Sequence, residues 1–400
     1  MPSVVIVVEN LPVPFDRRVW QEARALKAAG WSVSVICPTS ERHCGLYEEL
    51  DGIAIYRHRL PLEARGKFAF IAEYGAALFH EFRLLLRVAR ERGFDVIQGC
   101  NPPDLIFLPA LWFKLSGKRY VFDHHDVCPE LLSVKFGRKG LLYHLLLLLE
   151  RLSFGCADLI VTANDTFRDI AIERGGQHPD KVITVYSVPD ESRLRRVPVP
   201  PGIRSDGEII LGYVGIIGDQ DGVDHLIRAM HHLTTDLGAR DVRAIVVGDG
   251  PALASVKALA RELGVDRHIT FTGYRSGDDL LGFLSAFDIG VIPDPVNEYN
   301  DKISMNKVFE YSALGIPSIA YPLTETMRLL GDAGCYAAGN RPEQLAEACD
   351  LLLRSSEERR RRGLKAKALA DANFSWEREA ERYVGAYGRL LASRSAASIA

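Results

Sequence analysis

The chain runs through the same alternation twice. β-branched runs at 3–8, 31–37, 53–58, 94–98, 119–123, 157–161 and 182–185 are interleaved with helical periodicities at 16–29, 68–92, 103–116 and 139–154. After a proline-rich stretch at 188–208 the pattern resumes, with strands at 209–214, 243–248, 268–272 and 287–292 and helices at 222–237, 251–263, 278–286 and 342–354. Strand and helix in strict alternation mean parallel strands covered by helices, because each crossover must return to the same edge of the sheet. The reading is α/β, with two doubly wound Rossmann-like domains. A first domain spans 1–190, a linker 191–208 and a second domain 209–375. A helix from 377 to 391 follows the second domain, so 376–400 is expected to return to the first.

Ligands of such sheets bind beyond the carboxyl ends of the strands, so two domains facing across a cleft would place their strand-end loops around a common site. The candidate chemistry is therefore sought in those loops. Other classes are excluded early. The net charge is −3, which gives no electrostatic footprint for nucleic acid. The seven cysteines are scattered, without a Cys-x-x-Cys pair, which fits a reducing, cytoplasmic setting and offers no zinc cluster. The longest apolar run, 140–149, is far short of the roughly 20 residues of a membrane span. The 10–20 loop, NLPVPFDRRVW, lacks the glycine pattern of a dinucleotide fold.

In the first domain three strand ends carry polar clusters. Arg17 and Arg18 follow Asp16 at a helix start, where a cap and a cleft-facing role are equally open. Asn101 and Asp104 flank two prolines. Asp123, His124, His125 and Asp126 close the next strand; the adjacent histidines would point to different sides, so metal ligation is not expected. In the second domain Gly215, Gly218 and Gly250 let backbone approach a phosphate or a sugar, and Tyr274 offers a face for a base.

Residues 298–325 organise the second domain. Ser304 reads as an N-cap, and the amides of Met305, Asn306 and Lys307 would then form an anion site at the positive end of a helix. Glu310 lies on the second turn, where a carboxylate can accept from two ribose hydroxyls.

The segments PFDRRVWQEARALKAAGWSVSVICP, FDHHDVCPEL, GVDHLIRAM, VVGDGP, FTGY, MNKVFEYSALGIPSIA and FSW occur in the order shown by the retaining glycosyltransferases of family 4, and the chain resembles that family over nearly its whole length. The resemblance implies the GT-B architecture, a nucleotide held by the second domain, an acceptor held by the first, a C-terminal helix crossing back, and no metal ion or other cofactor. It implies that His125 lies near the transferred sugar, that Glu310 holds the ribose, and that Met305 to Lys307 form the phosphate turn. Three positions depart from the pattern: Lys302 replaces the first glutamate of E-x7-E, and Ile216 and Asp221 replace an arginine and a lysine. Lys302 and Lys307 are then the candidate cations for a leaving diphosphate.

The function expected is retaining transfer of a sugar from a nucleoside-diphosphate donor to a glycan or lipid-linked acceptor, in polysaccharide or cell-envelope assembly. A nucleotide-sugar epimerase and a non-catalytic nucleotide-sugar-binding protein are the alternatives. Basic residues Lys135, Arg138 and Lys139 before the Leu-rich helix, and the cluster of Arg65, Lys67, Phe68 and Phe70, suit peripheral contact with the inner face of a membrane. An equally good reading of the Leu-rich helix is a core helix with a solvated basic end.

Overall fold

The computed structural model describes residues 1–40, 43–59, 67–137, 139–190 and 194–397, without the side chains of 67–74 and 393–397. Arg65, Arg138 and the side chains of Lys67, Phe68 and Phe70 lie outside the described residues. The chain divides into two compact units, the first made of Met1–Ser187 with Glu377–Ala400, the second of Val188–Trp376.

The first unit runs β1 (Ser3–Val8), α1 (Arg17–Ala28), β2 (Ser32–Pro38), β3 (Tyr47–Leu50), β4 (Ile53–His58), α2 (Lys67–Glu91), β5 (Val96–Cys100), α3 (Phe107–Lys114), β6 (Arg119–His124), α4 (Cys128–Phe136), α5 (Leu141–Cys156), β7 (Leu159–Thr162), α6 (Asp165–Asp169) and β8 (Val182–Thr184). Its described strands form one sheet in the order β3-β4-β2-β1-β5-β6-β7-β8, parallel except for the β3–β4 pair. Phe107, Ala110 and Phe113 of α3 and Phe154 of α5 pack with Tyr120 and Phe122 on one face of the sheet.

The second unit runs β9 (Ile209–Val214), α7 (Val223–Thr235), β10 (Val242–Val247), α8 (Leu253–Glu262), β11 (Ile269–Gly273), α9 (Gly277–Ala286), β12 (Ile289–Ile292), α10 (Asn306–Ala313), β13 (Ser318–Ala320), α11 (Thr324–Leu330), β14 (Cys335–Tyr336), α12 (Pro342–Arg354) and α13 (Ser356–Asn373). Its described strands order as β11-β10-β9-β12-β13-β14, each parallel to its neighbours. The last helix, α14 (Trp376–Ala397), belongs to the first unit from Glu377 onward. There its Tyr387 meets Trp31 edge-on.

The strand order reverses between β1 and β5 in one sheet and between β9 and β12 in the other. Those switch points are where two neighbouring crossovers diverge and leave a crevice at the strand ends.

The described part of the proline-rich stretch is anchored within the second unit: the backbone of Val197 donates to the Ser285 hydroxyl, and Arg196 donates to the carbonyls of Leu314 and Ser285. Its lack of periodicity reflects an irregular backbone satisfied by side chains, which a sequence pattern does not distinguish from a solvated tether.

Candidate functional site

At the switch point of the first unit, buried polar groups gather under the β5 and β6 ends. Asp123 is fully buried and accepts from Arg18 at 2.9 Å, from Gln98 at 2.8 Å and from the ring Nε2 of His125 at 2.6 Å. Burial opposes its ionisation, but Arg18 and His125 outweigh that and hold the carboxyl below its ordinary range. Glu22, 3.1 Å from Arg18, moves the other way: burial and the Asp123 anion push it well above the usual carboxylate range. The Gln98 amide donates to both Glu22 and Asp123, while its carbonyl accepts from the hydroxyls of Tyr383 and Tyr387 on α14. The amide orientation is thereby fixed, because the tyrosines occupy its acceptor end.

Asn101 supports the same histidine from its backbone side. Its carbonyl accepts from the amides of His125 at 2.6 Å and Asp126 at 3.1 Å, and its NH2 donates to Asp104 and to the Asp126 carbonyl. The buried Asp104 is raised to about 7 by desolvation and by Glu150. The two histidines do part company: His124 packs among Phe122, Phe154 and Phe167 and is lowered to about 3 by burial and Arg174, while His125 stays partly exposed. With Nε2 engaged by Asp123, Nδ1 is the nitrogen of His125 left for a substrate.

Asp16 caps α1 by accepting from the Val19 amide at 3.1 Å, and the buried Arg18 turns into the unit, donating to Asp123 and to the Val185 carbonyl. Arg18 thus bonds Asp123, which in turn bonds His125. Arg17 is exposed.

Among the described residues Cys100, Asp123 and His125 bring potential metal ligands within 4.8 Å of one another. The donor set fits a cation poorly. Asp123 already carries Arg18 and Gln98, and burial with the Asp123 anion pushes the Cys100 thiol well above its ordinary range, against the thiolate a metal requires.

At the second switch point three loops meet. Gly248, with φ +147°, and Gly250 sit where a Cβ would fall 1.8 Å from the Gly215 carbonyl oxygen and 2.4 Å from that of Ile217. The amides of Ile217 and Ala252 close the same junction through Asp249 and Ile217. The glycines expected to face a ligand thus serve first to let the β9 and β10 loops press backbone to backbone. Gly218 donates its amide to the Asp221 carboxylate at 2.8 Å, so the residue standing where the family has a lysine acts as a loop clasp. Ile216 is exposed, and Tyr274 stands exposed beyond β11.

The phosphate turn differs from expectation at its cap. α10 begins at Asn306 with Met305 as N-cap and no side-chain cap, because the Ser304 hydroxyl donates to the buried Glu325 at 3.2 Å. The hydroxyl is turned toward a distant carboxylate and accepts from no first-turn amide. Helix geometry still leaves the first-turn amides of Asn306 and Lys307 without intrahelical acceptors. The Lys307 ammonium is buried, 2.6 Å from Asp294 just beyond β12 and 4.8 Å above the Tyr213 ring. It is thus paired within the loops, not standing free for an anion. Lys302 donates to the Glu298 carbonyl at 2.8 Å, and Glu310 is buried on α10. Tyr311 accepts from the Val214 amide and donates to the Gly212 carbonyl, both at 3.1 Å, which fixes α10 against the end of β9.

Sequence reasoning passed over Gln98, Glu22, Asp294 and the tyrosine pair. Gln98 and Asp123 carry a signal: two polar residues within apolar parallel strands, on one face of the sheet, with Asp123 in register with Cys100 two residues beyond Gln98. Asp294 follows its strand by two residues, which is the position from which a side chain reaches a neighbouring strand end.

Comparison with known proteins agrees with both halves. Residues 16–187 match the glycosyl transferase 4-like domain, and residues 208–355 match the model of glycosyl transferases group 1. The alpha-D-kanosaminyltransferase of Streptomyces kanamyceticus is 24% identical over 363 residues, 84% of this chain and 90% of that protein. Sucrose-phosphate synthase from Thermosynechococcus elongatus superposes with a TM-score of 0.80 at 17% identity, over 98% of this chain and 100% of that one. Anabaena HepE in complex with UDP gives 0.71 at 14% identity, over 97% and 100%. The chain is therefore a glycosyltransferase of GT-B fold, with a glycosyltransferase 4-like domain followed by a group 1 glycosyltransferase domain.

Proposed function

We propose that the second unit binds a nucleoside-diphosphate sugar and that the enzyme transfers the sugar, with retention of configuration and without a metal, to a glycan or lipid-linked acceptor of polysaccharide or cell-envelope assembly at the inner face of the membrane. One observation carries the donor assignment. The β12 loop and the end of β9 meet Lys307 in the first turn of α10, the β10 loop packs on the β9 loop, and the first-turn amides, Lys307 and Glu310 lie within two helical turns of one another. The UDP complex of HepE supports that assignment at the level of fold.

In the reaction the bond from the anomeric carbon to the diphosphate oxygen breaks. A bond to the acceptor hydroxyl oxygen forms, and the hydroxyl proton passes to the departing phosphate. Charge grows on the leaving group, so the first-turn amides of α10 stabilise the transition state more than the ground state. His125, held by Asp123 and Asn101, is assigned to the transferred sugar. No step requires a cation beyond those of the chain.

The internal neutralisation of Lys307 by Asp294 favours one alternative, a protein that binds nucleotide sugar without turnover. Two measurements separate the readings. Thermal shift with UDP, GDP, ADP and TDP should raise the melting temperature for at least one nucleotide; a response to none refutes the donor site. His125→Ala should lower kcat about a hundredfold or more while the nucleotide response persists. An unchanged rate refutes the role of the histidine, and the absence of turnover with donor and any acceptor in the wild-type protein favours the binding protein.

A further inference from the structure

The Leu-rich helix α5 is inside out. Two of its polar residues face the protein: Glu150 is buried against Arg174 at 2.6 Å, and Ser153 donates to the Asp104 carbonyl. Leu141, Leu145, Leu148 and Leu152, spaced as one helical stripe, are exposed, Leu141 by 89%. A helix folding in water alone would present the opposite pattern. The core-helix reading of this segment is therefore not what the fold adopts.

Helix α3 repeats the arrangement. Its inner residues Phe107, Ala110 and Phe113 join the core, yet Leu108, Leu111, Trp112 and the following Leu115 form an outer stripe, with Leu115 exposed by 87%. Both helices cover the same face of the sheet, so both stripes point away from it, and Phe82 of α2 joins Trp112 edge-on. Contiguous apolar surface on this scale marks an interaction site.

The charges around it have one sign. Between 127 and 157 the described acids, Glu130 and Glu150, are buried on Arg174, whereas Lys135, Lys139 and Arg151 are exposed. A second copy meeting this patch through a two-fold axis would set those cations against themselves. An anionic bilayer surface answers both features: leucines and tryptophan enter the acyl boundary, and the cations meet the headgroups. No helix among the described residues is long and apolar enough to cross a membrane.

We infer that the outer faces of α3 and α5 form a docking surface for an anionic lipid leaflet. The inference adds a surface to the membrane setting proposed above, and it stands on exposure and charge, independently of donor or acceptor. The test is flotation of the full chain with vesicles of phosphatidylcholine alone or with added phosphatidylglycerol, at low and high salt. The wild-type protein should float with the anionic vesicles and release as salt screens the cations. Leu145→Gln/Leu148→Gln and Trp112→Ser/Leu115→Ser should each lower the partition coefficient by about tenfold or more. Lys135→Glu/Lys139→Glu should abolish the preference for anionic lipid. Because these side chains are exposed, circular dichroism and the nucleotide thermal shift should be unchanged, which separates failure here from failure of the donor site. Equal recovery with neutral and anionic vesicles, no recovery with either, variants that bind like wild type, or a concentration-dependent dimer dissolved by the same variants without vesicle binding would each overturn the inference.

Discussion

Arg18→Met offers a sharp test of the buried network. The guanidinium is the cation that offsets Asp123, and it lies 7% exposed against a carboxylate that is fully buried. Methionine fills similar volume without charge, so the variant isolates the electrostatics. Leaving a buried carboxylate without its cation costs about 3–5 kcal/mol, and the Val185 carbonyl loses its donor at about 1 kcal/mol more. Asp123→Asn should cost less. Burial and the Asp123 anion both push the Glu22 carboxyl upward; without that anion the second push is gone, and Glu22, 3.1 Å from Arg18, can serve as the partner of the guanidinium. Urea unfolding followed by tryptophan fluorescence reports on this unit through the buried Trp20 and Trp31. The pH dependence supplies a second reading. The folded carboxyl of Asp123 lies below its unfolded value of about 3.9, so its stabilisation is complete at neutral pH and is lost as pH falls through that value and below. In Arg18→Met the depression is largely removed, and the acid limb of the stability profile should flatten. A loss of under about 1 kcal/mol in Arg18→Met, or an equal loss in both variants, would refute the reasoning.

Asp294→Asn releases Lys307 from its pair. If the lysine serves the diphosphate, nucleotide affinity measured by calorimetry should rise severalfold; no change would leave Lys307 a structural cation. Lys302→Ala should alter kcat/KM less than Lys307→Ala, since Lys302 donates to the carbonyl of Glu298 on its own loop and stands nearer to solvent than the buried Lys307. Gly248→Ala forces a Cβ against the Gly215 oxygen at a positive φ. It should cost about 3 kcal/mol or more and abolish the nucleotide thermal shift, a loss that melting curves would show directly.

What the sequence discloses depends on how local the cause is. Both sheets follow from alternation, because burial of a parallel strand on two faces leaves an apolar run that periodicity detects. The antiparallel edge strand β3, Tyr47–Leu50, has the sequence YEEL with largely solvated side chains and leaves no such trace. Helix α4 is bounded by Pro129 near its start and by Gly137 in the left-handed region at its end, signals that were legible but sat inside a loop read for its histidines. Ser304 satisfies the local rules for a cap, yet the helix starts one residue later and the hydroxyl donates to Glu325, 21 residues on. Lys307 likewise reads as a free cation until β12 brings Asp294 beneath it. Pairings of this kind are properties of loop convergence, which no window of sequence contains.

The bonds from Tyr383 and Tyr387 to Gln98 also impose an order of assembly during synthesis. The second unit is continuous in the chain, and its residues have all been made once Trp376 has been added. The first unit at that moment has its strands but still lacks the two hydroxyls that occupy the acceptor end of an amide buried within its sheet. Its polar network therefore closes last, although its first strand is made first. A nascent chain arrested before residue 383 would hold a finished group 1 domain and a first unit whose Gln98 carbonyl still lacks both its donors. Pulse proteolysis of such arrested chains would find the earlier-made half the more easily cut.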